Sequence, residues 1–347
     1  MIPVKSFAAQ KATTPLAPFR IERREVGPQE VLIDILYCGV CHTDINQTRD
    51  VWGGSIFPIV PGHEIVGRIT KVGKDVTKFK VGNIAGVGYF VDSCRVCQNC
   101  KEGLEQYCDN GMVATDNGYE KDKVTRTYGG YSSQIVVDES YVLHISSKLS
   151  LDRVAPLLCA GITTYSSIMH WKVGKGHRLG VLGLGGLGHM AVKLAASLGS
   201  EVTVLSASRS KKEDAQRLGA HHFALTSDES VLKNLRGHFD FIIDTVPALH
   251  DLNQILGLLK RDGTLINLGA PPGPALVNGF SLIGGRKKIG GSTIGGIKET
   301  QEMLDYCATH SIMSDVEVIP IQEINNAYER LMKGDVKYRF VIDMATL

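Results

Sequence analysis

Two patterns of apolar and polar positions divide this chain. Up to about residue 149, apolar residues come in short runs broken by glycine, such as "VLIDILYCGV" and "EIVGRITKVGKDV". Alternating, β-branched runs of this length predict strands. "YSSQIVVDESYVLHI" predicts a strand, a turn and another strand, whereas residues 109–127 are polar and irregular and predict a surface loop.

From about residue 151 the pattern changes. "HRLGVLGLGGLGHMAVKLAASLGSEVTVLSASRSKK" reads as strand, glycine turn, apolar helix and strand, and "FDFIIDTV" and "GTLINLG" predict further strands. Strands alternating with helices imply an α/β architecture with a parallel, doubly wound sheet. After about residue 294, "ETQEMLDYCATH" and "INNAYERLMKG" predict helices and "YRFVIDM" a closing strand. A length of 347 residues agrees with two domains.

Composition narrows the function classes. A net charge of +2 with no basic stripe gives no electrostatic footprint for nucleic acid. The opening "MIPVKSFAAQK" has no apolar signal core. No apolar run approaches the roughly 18 residues of a membrane helix. The expected setting is the reducing cytoplasm, with neither membrane nor nucleic acid as partner.

Half of the eight cysteines lie in "VDSCRVCQNCKEGLEQYCDN", as Cys94, Cys97, Cys100 and Cys108. Disulfides are uncommon in a reducing compartment. The spacing C-x2-C-x2-C-x7-C fits a four-thiolate structural zinc site. It also shares its first steps with the bacterial iron–sulfur run, which closes sooner and on a proline. Four buried thiols without metal are the third reading. None of these carries an activity by itself.

The glycine turn is G-x-G-x-x-G, with Gly183, Gly185 and Gly188 after an apolar strand and before a helix. In that context the glycines permit a tight turn and let a pyrophosphate approach the helix N-terminus. NAD sites place an acid at the end of the next strand. Here the chain reads "TVLSASRSKK": Ser206, Ser208 and Ser210 supply hydroxyls, and Arg209, Lys211 and Lys212 supply charge. No carboxylate precedes Glu213. This end suits a 2′-phosphate, hence NADP(H), although the cations could also be a solvated helix start.

Cys41, His63 and Cys159 are the remaining candidates for chemistry, in "CGVCHTD", "VPGHEIVG" and "PLLCAGITT". Two thiolates and an imidazole make a catalytic zinc set with an open fourth position. Sequence distance alone does not bring them together.

"GHEIVG", the four-cysteine loop, "LLCAGITTYS", "GLGGLG" and "YRFVID", in this order, resemble the zinc-dependent medium-chain alcohol dehydrogenases over essentially the whole chain. The branch most similar is cinnamyl alcohol dehydrogenase with its bacterial NADP-dependent aldehyde reductases. The resemblance implies a GroES-like, β-rich catalytic domain at 1–150, rejoined by 292–347, and a Rossmann domain at 151–291. It implies two zinc ions per chain, one held by the four-cysteine loop and one catalytic, bound by Cys41, His63 and Cys159. Glu64 would sit behind the catalytic metal, and Asp44 would accept the His63 imidazole N–H. Thr43 would hydrogen-bond the substrate oxygen. His42 and Arg339 would meet the cofactor pyrophosphate, and the turn, with Gly186 and Leu187, would hold the cofactor. Thr163 and Leu187 would pack near the nicotinamide, and Trp52 and Tyr89 would line the substrate pocket. Cys38 and Cys307 read as core.

The activity implied is hydride transfer between NADP(H) and primary alcohols or aldehydes, both aromatic and aliphatic, with a homodimer as assembly. In the family the proton travels through the threonine and the nicotinamide ribose to a histidine. This chain has Asn46 at that position, so its relay must end differently. A polyol or formaldehyde dehydrogenase of the same fold is the alternative enzyme. A dinucleotide-binding protein without turnover is the alternative from another class, and such a protein would be expected to have lost a ligand.

Overall fold

The computed structural model describes every residue except 272. The chain divides into two compact units, Met1–Ile162 with Ile294–Leu347, and Thr163–Thr293. The first boundary falls inside the helix Ala160–His170 rather than at 150/151. A change in apolar period marks where helices begin, not where the chain leaves a core. The segment 151–162 stays with the first unit because Val154, Leu157 and Leu158 are fully buried there.

The first unit is built on a seven-stranded sheet. Its path runs Leu143–His144, Ile84–Val87, Ile65–Val72, Glu30–Gly39, Arg339–Asp343, Val316–Pro320, and Gln134–Asp138 also pairs with Glu30–Gly39. Glu30–Gly39 is central because Val31, Ile33, Ile35 and Cys38 give it a buried face. It pairs antiparallel with Ile65–Val72, Cys38 opposite Ile65. The end of one strand therefore lies beside the start of the other.

The C-terminal segment rejoins this unit through amphipathic packing. The helix Ile324–Met332 buries Ile324, Ala327, Tyr328 and Leu331, the i, i+3, i+4, i+7 stripe of a core-facing helix. Ile297–His310 buries Met303, Leu304, Cys307 and Ala308 on the same logic, which makes Cys307 a core residue as expected. Arg339–Asp343 then pairs antiparallel with Glu30–Gly39.

The second unit has a six-stranded, fully parallel sheet in the order His222–Leu225, Glu201–Ser206, Arg178–Leu182, Phe239–Asp244, Leu259–Asn267, Lys288–Gly291. Numbered along the chain this is 3-2-1-4-5-6, the Rossmann order, whose switch point lies beside the first strand. The helix Gly186–Ser197 follows that strand. It buries Met190, Ala191, Leu194 and Ala195, and the alanines let it lie close to the sheet.

Residues 109–127 depart from the expected surface loop. Val113–Ala114 pairs with Phe90–Asp92, and Gly118–Tyr119 pairs with Arg126–Thr127. Thr115 and Asp116 are buried. Short ladders satisfy the backbone here, which lets polar side chains turn inward in a stretch with no apolar period.

Candidate functional site

Strand pairing assembles the first site. Cys41 caps the helix His42–Thr48 just past the end of Glu30–Gly39, and His63 and Glu64 immediately precede Ile65–Val72. The Gly39 N–H donates to the Glu64 carbonyl at 2.9 Å, which aligns the two segments. A side chain at Gly39 would strike the Glu64 carboxylate, so glycine is required there. Cys159 ends the turn Ala155–Leu158, and its Sγ lies 3.9 Å from Cys41 Sγ. The ligand atoms of Cys41, His63, Glu64 and Cys159 all fall within 4.8 Å of one another, and all four residues are buried.

Several observations fit a cation at this centre. His63 has no exposed surface, and its Nε2 has no hydrogen-bond partner. Two thiols at 3.9 Å are too far apart for a disulfide, whose S–S bond is about 2.05 Å. A tetrahedron with zinc–sulfur arms of about 2.3 Å has edges of about 3.8 Å. The hydrogen bond from Cys159 pulls the Cys41 thiol well below its ordinary range against burial, with help from Arg339. The Cys159 thiol is correspondingly pushed up. A dication would let both ionise.

The groups around the centre are equally specific. Asp44 stands at the third position of its helix, and its Oδ2 accepts the Cys41 backbone N–H at 2.7 Å, a capping interaction. The same oxygen accepts the Tyr131 hydroxyl at 3.2 Å, while Oδ1 lies 3.1 Å from His63 Nδ1. Burial pushes the Asp44 carboxyl up. Glu64 pairs with Arg339, which is 3% exposed. Val40 N–H donates to the Phe340 carbonyl at 2.9 Å, so the C-terminal strand delivers Arg339 to this pair.

His42 and Thr43 are half-buried on the same helix, and burial pulls the His42 imidazole down. Tyr89 meets the His63 ring edge-on, with centroids 5.0 Å apart, and burial pushes its phenol up to about 12. Trp52 is 48% exposed. Asn46 is half-buried on the helix beside Thr43. Asp116 and Tyr131 were not legible in the sequence, since no local motif marks either.

The four-cysteine loop closes as a second centre. The ligand atoms of Cys94, Cys97, Cys100 and Cys108 lie within 4.8 Å of one another, and the Sγ atoms of Cys94 and Cys100 are 3.9 Å apart. The Cys97 backbone N–H donates to Cys94 Sγ at 3.3 Å, and Cys94 N–H donates to Cys108 Sγ at 3.4 Å. The Asn110 side chain and the backbone of Val96 and Cys97 pull the Cys94 thiol down to about 6. Burial pushes Cys100 up to about 12. N–H donors aimed at sulfur favour thiolates, and four thiolates at tetrahedral spacing suit structural zinc.

In the second unit, Gly183 takes φ +89°, the left-handed region open to glycine. A Cβ at Gly188 would strike the Gly183 carbonyl, so the helix can approach its own turn only with glycine there. At Gly185, by contrast, no atom lies within 4 Å of where a Cβ would stand. That leaves open space before the N-terminus of Gly186–Ser197, where Leu187 is half-buried. Thr163, also in this unit, is buried.

Ser206 ends the strand Glu201–Ser206, and its Oγ accepts the Ser208 N–H at 3.2 Å. Ser208 and Ser210 share a hydroxyl contact at 2.8 Å, and Arg209–Lys211 forms the turn that follows. Hydroxyls and cations thus gather at this strand end.

Comparison with known proteins matches residues 27–147 to the alcohol dehydrogenase GroES-like domain and residues 186–309 to the zinc-binding dehydrogenase family. NADP-dependent alcohol dehydrogenase C 1 of Mycolicibacterium smegmatis is 55% identical over 348 residues, covering 100% of this chain and 99% of that protein. Aldehyde reductase YahK of Escherichia coli is 51% identical, with 99% of each covered. Among solved structures, a cinnamyl alcohol dehydrogenase of Sorghum bicolor superposes with a TM-score of 0.96 at 44% identity, covering 99% of this chain and 98% of its own. Two family matches that together span most of the chain, and relatives more than half identical along its length, agree with the two cysteine centres and the glycine turn: the chain belongs to the zinc-binding alcohol dehydrogenase family.

Proposed function

We propose that this protein is a zinc-dependent, NADP(H)-linked alcohol dehydrogenase that works as an aldehyde reductase on primary aldehydes, aromatic and aliphatic. The observation that carries this reading is the convergence of Cys41, His63 and Cys159, with a buried His63 Nε2 that no protein group satisfies. Cys41, His63 and Cys159 would hold one zinc, and Cys94, Cys97, Cys100 and Cys108 the other. When bound, the catalytic zinc supplies Lewis acidity at the substrate oxygen and NADPH supplies the hydride.

The chain's own groups do the rest. The glycine turn and the N-terminus of Gly186–Ser197 bind the pyrophosphate. Ser206, Ser208, Arg209 and Lys211 take the 2′-phosphate. Asp44, whose Oδ1 lies 3.1 Å from His63 Nδ1, orients the imidazole and leaves its Nε2 free to ligate. Thr43 hydrogen-bonds the substrate oxygen and passes its proton. Tyr89 and Trp52 face the substrate. Initial rates with NADPH and NADH across aromatic and aliphatic aldehydes test the whole reading. NADPH should give the higher kcat/KM throughout, and turnover independent of zinc would reject it.

Asn46 ends the relay differently from a histidine, because an amide neither takes nor gives a proton near neutral pH. Asn46→His should raise alcohol oxidation near pH 7 by up to about 100-fold, since imidazole titrates near pH 6.5. The gain should fade at alkaline pH, where hydroxide accepts the proton. Superimposable pH–rate profiles, with proton transfer shown to be partly limiting, would assign the relay to another group.

Two coarser features complete the proposal. Leu276, Phe280 and Ile283 are 85%, 79% and 73% exposed, and they precede the edge strand Lys288–Gly291. Apolar side chains beside an open sheet edge favour a homodimer of this chain. Sedimentation should give twice the chain mass, and Phe280→Asp should shift it towards monomer; a monomeric wild type would refute this. Among the described residues no helix is long and apolar enough to cross a membrane. Two thiolate centres require reduced cysteines, which supports a cytoplasmic setting.

A further inference from the structure

Asp116 belongs to the stretch that reads as loop, yet it has no exposed surface. Its Oδ2 accepts the Gly62 backbone N–H at 2.8 Å and lies 3.7 Å from His63 Nδ1. Its Oδ1 is buried without a hydrogen-bond partner. Asp44 approaches the same nitrogen, at 3.1 Å, but neither Asp44 Oδ1 nor His63 Nδ1 gains an aligned hydrogen bond from that contact. Two carboxylates therefore face one imidazole nitrogen, and the nearer one makes no aligned hydrogen bond to it.

A buried carboxylate is costly unless paired and hydrogen-bonded. The nearby acids differ in how they meet this cost. Glu64 has Arg339, and Asp44 has the Cys41 N–H and the Tyr131 hydroxyl. Asp116 has one backbone N–H and the imidazole, and its only ion-pair contact among the described residues is His63. Two carboxylates approach Nδ1 of an imidazole that also stands in a cluster with the thiols of Cys41 and Cys159, an arrangement that positive charge at the centre would stabilise.

We propose that Asp116 is a positioning residue for the catalytic zinc, a second carboxylate that faces His63 Nδ1 beside Asp44 and holds the ring so that Nε2 meets the metal. This rests on the reading that Cys41, His63 and Cys159 hold the metal. The competing role is purely structural: Asp116 would only cap the Gly62 N–H.

Asp116→Asn separates the two, because the amide oxygen still accepts from Gly62 but the charge at His63 is gone. The measurement is zinc transfer from purified protein to a chromogenic chelator, followed as two phases, with wild type and Cys159→Ala in parallel. Cobalt(II) replacement of the catalytic metal gives a second readout through its ligand-field bands. Asp116→Asn should weaken zinc binding at one centre by about 10- to 100-fold, the usual loss for a partner of a metal-bound histidine. It should also shift the cobalt bands and leave the other phase of zinc release unchanged. If Asp116→Asn fails to fold, Asp116→Ser should show the same weakening.

Wild-type zinc affinity and cobalt bands in the variant that folds would overturn the proposal while leaving the metal centre in place. Two zinc ions retained in Cys159→Ala would instead overturn the metal-centre reading, and this inference with it.

Discussion

Cys159→Ala should lose one of two zinc ions and with it nearly all turnover. Its thiol is one of three protein ligands proposed for the catalytic metal, and it is 8% exposed, so solvent does not readily replace it. Glu64 lies in the same group of ligand atoms, but its charge is engaged by Arg339. Lewis-acid stabilisation of the developing oxygen charge amounts to several kcal/mol. About 4 kcal/mol corresponds to roughly 1,000-fold in rate, so kcat/KM should fall at least that far. The four-cysteine centre is untouched, and the variant should remain folded with close to one zinc per chain by elemental analysis. Wild-type activity would remove Cys159 from the ligand set.

Ser206→Asp should have the next largest effect, on cofactor choice. Ser206 ends its strand, 8% exposed, with its Oγ already accepting the Ser208 N–H. An aspartate there can accept the same N–H, but it sets a carboxylate where the 2′-phosphate is proposed to bind. Like charges brought together in a binding site cost several kcal/mol. At about 1.4 kcal/mol per tenfold, kcat/KM with NADPH should drop roughly 100- to 1,000-fold. With NADH it should hold or rise, because the new acid can accept the ribose 2′-hydroxyl. A wild type that already prefers NADH would show that the cations of Arg209–Lys211 only begin the next helix.

The parts of this protein legible in its sequence are those built over short distances. The four-cysteine loop closes within fifteen residues, and its thiols meet as the spacing requires. The glycine turn carries its geometry in residue type, since Gly183 needs a positive φ and Gly188 a missing side chain. The strands at 30–39, 65–72, 178–182 and 239–244 follow from apolar runs whose period the backbone reads directly. The roles expected of Cys41, His63 and Cys159 came from likeness to a family, and no local pattern would have joined them.

The long-range pairings were decided by tertiary structure. Cys41 and Cys159 are separated by 118 positions, and Glu64 and Arg339 by 275. Glu64 and Arg339 meet because Glu30–Gly39 pairs with Ile65–Val72 on one side and with Arg339–Asp343 on the other, and Cys159 reaches Cys41 from the turn Ala155–Leu158, which packs on those strands. Asp116 reaches His63 for the same kind of reason: ladders at 113–114 and 118–119 fold a polar stretch inward. An alternating strand pattern states which face of a strand is buried, but not which strand will lie beside it or in what register. Those choices come from burial summed over the whole sheet, so Asp116 and Tyr131, which stand beside His63 and its partner Asp44, became identifiable only once the sheet was closed.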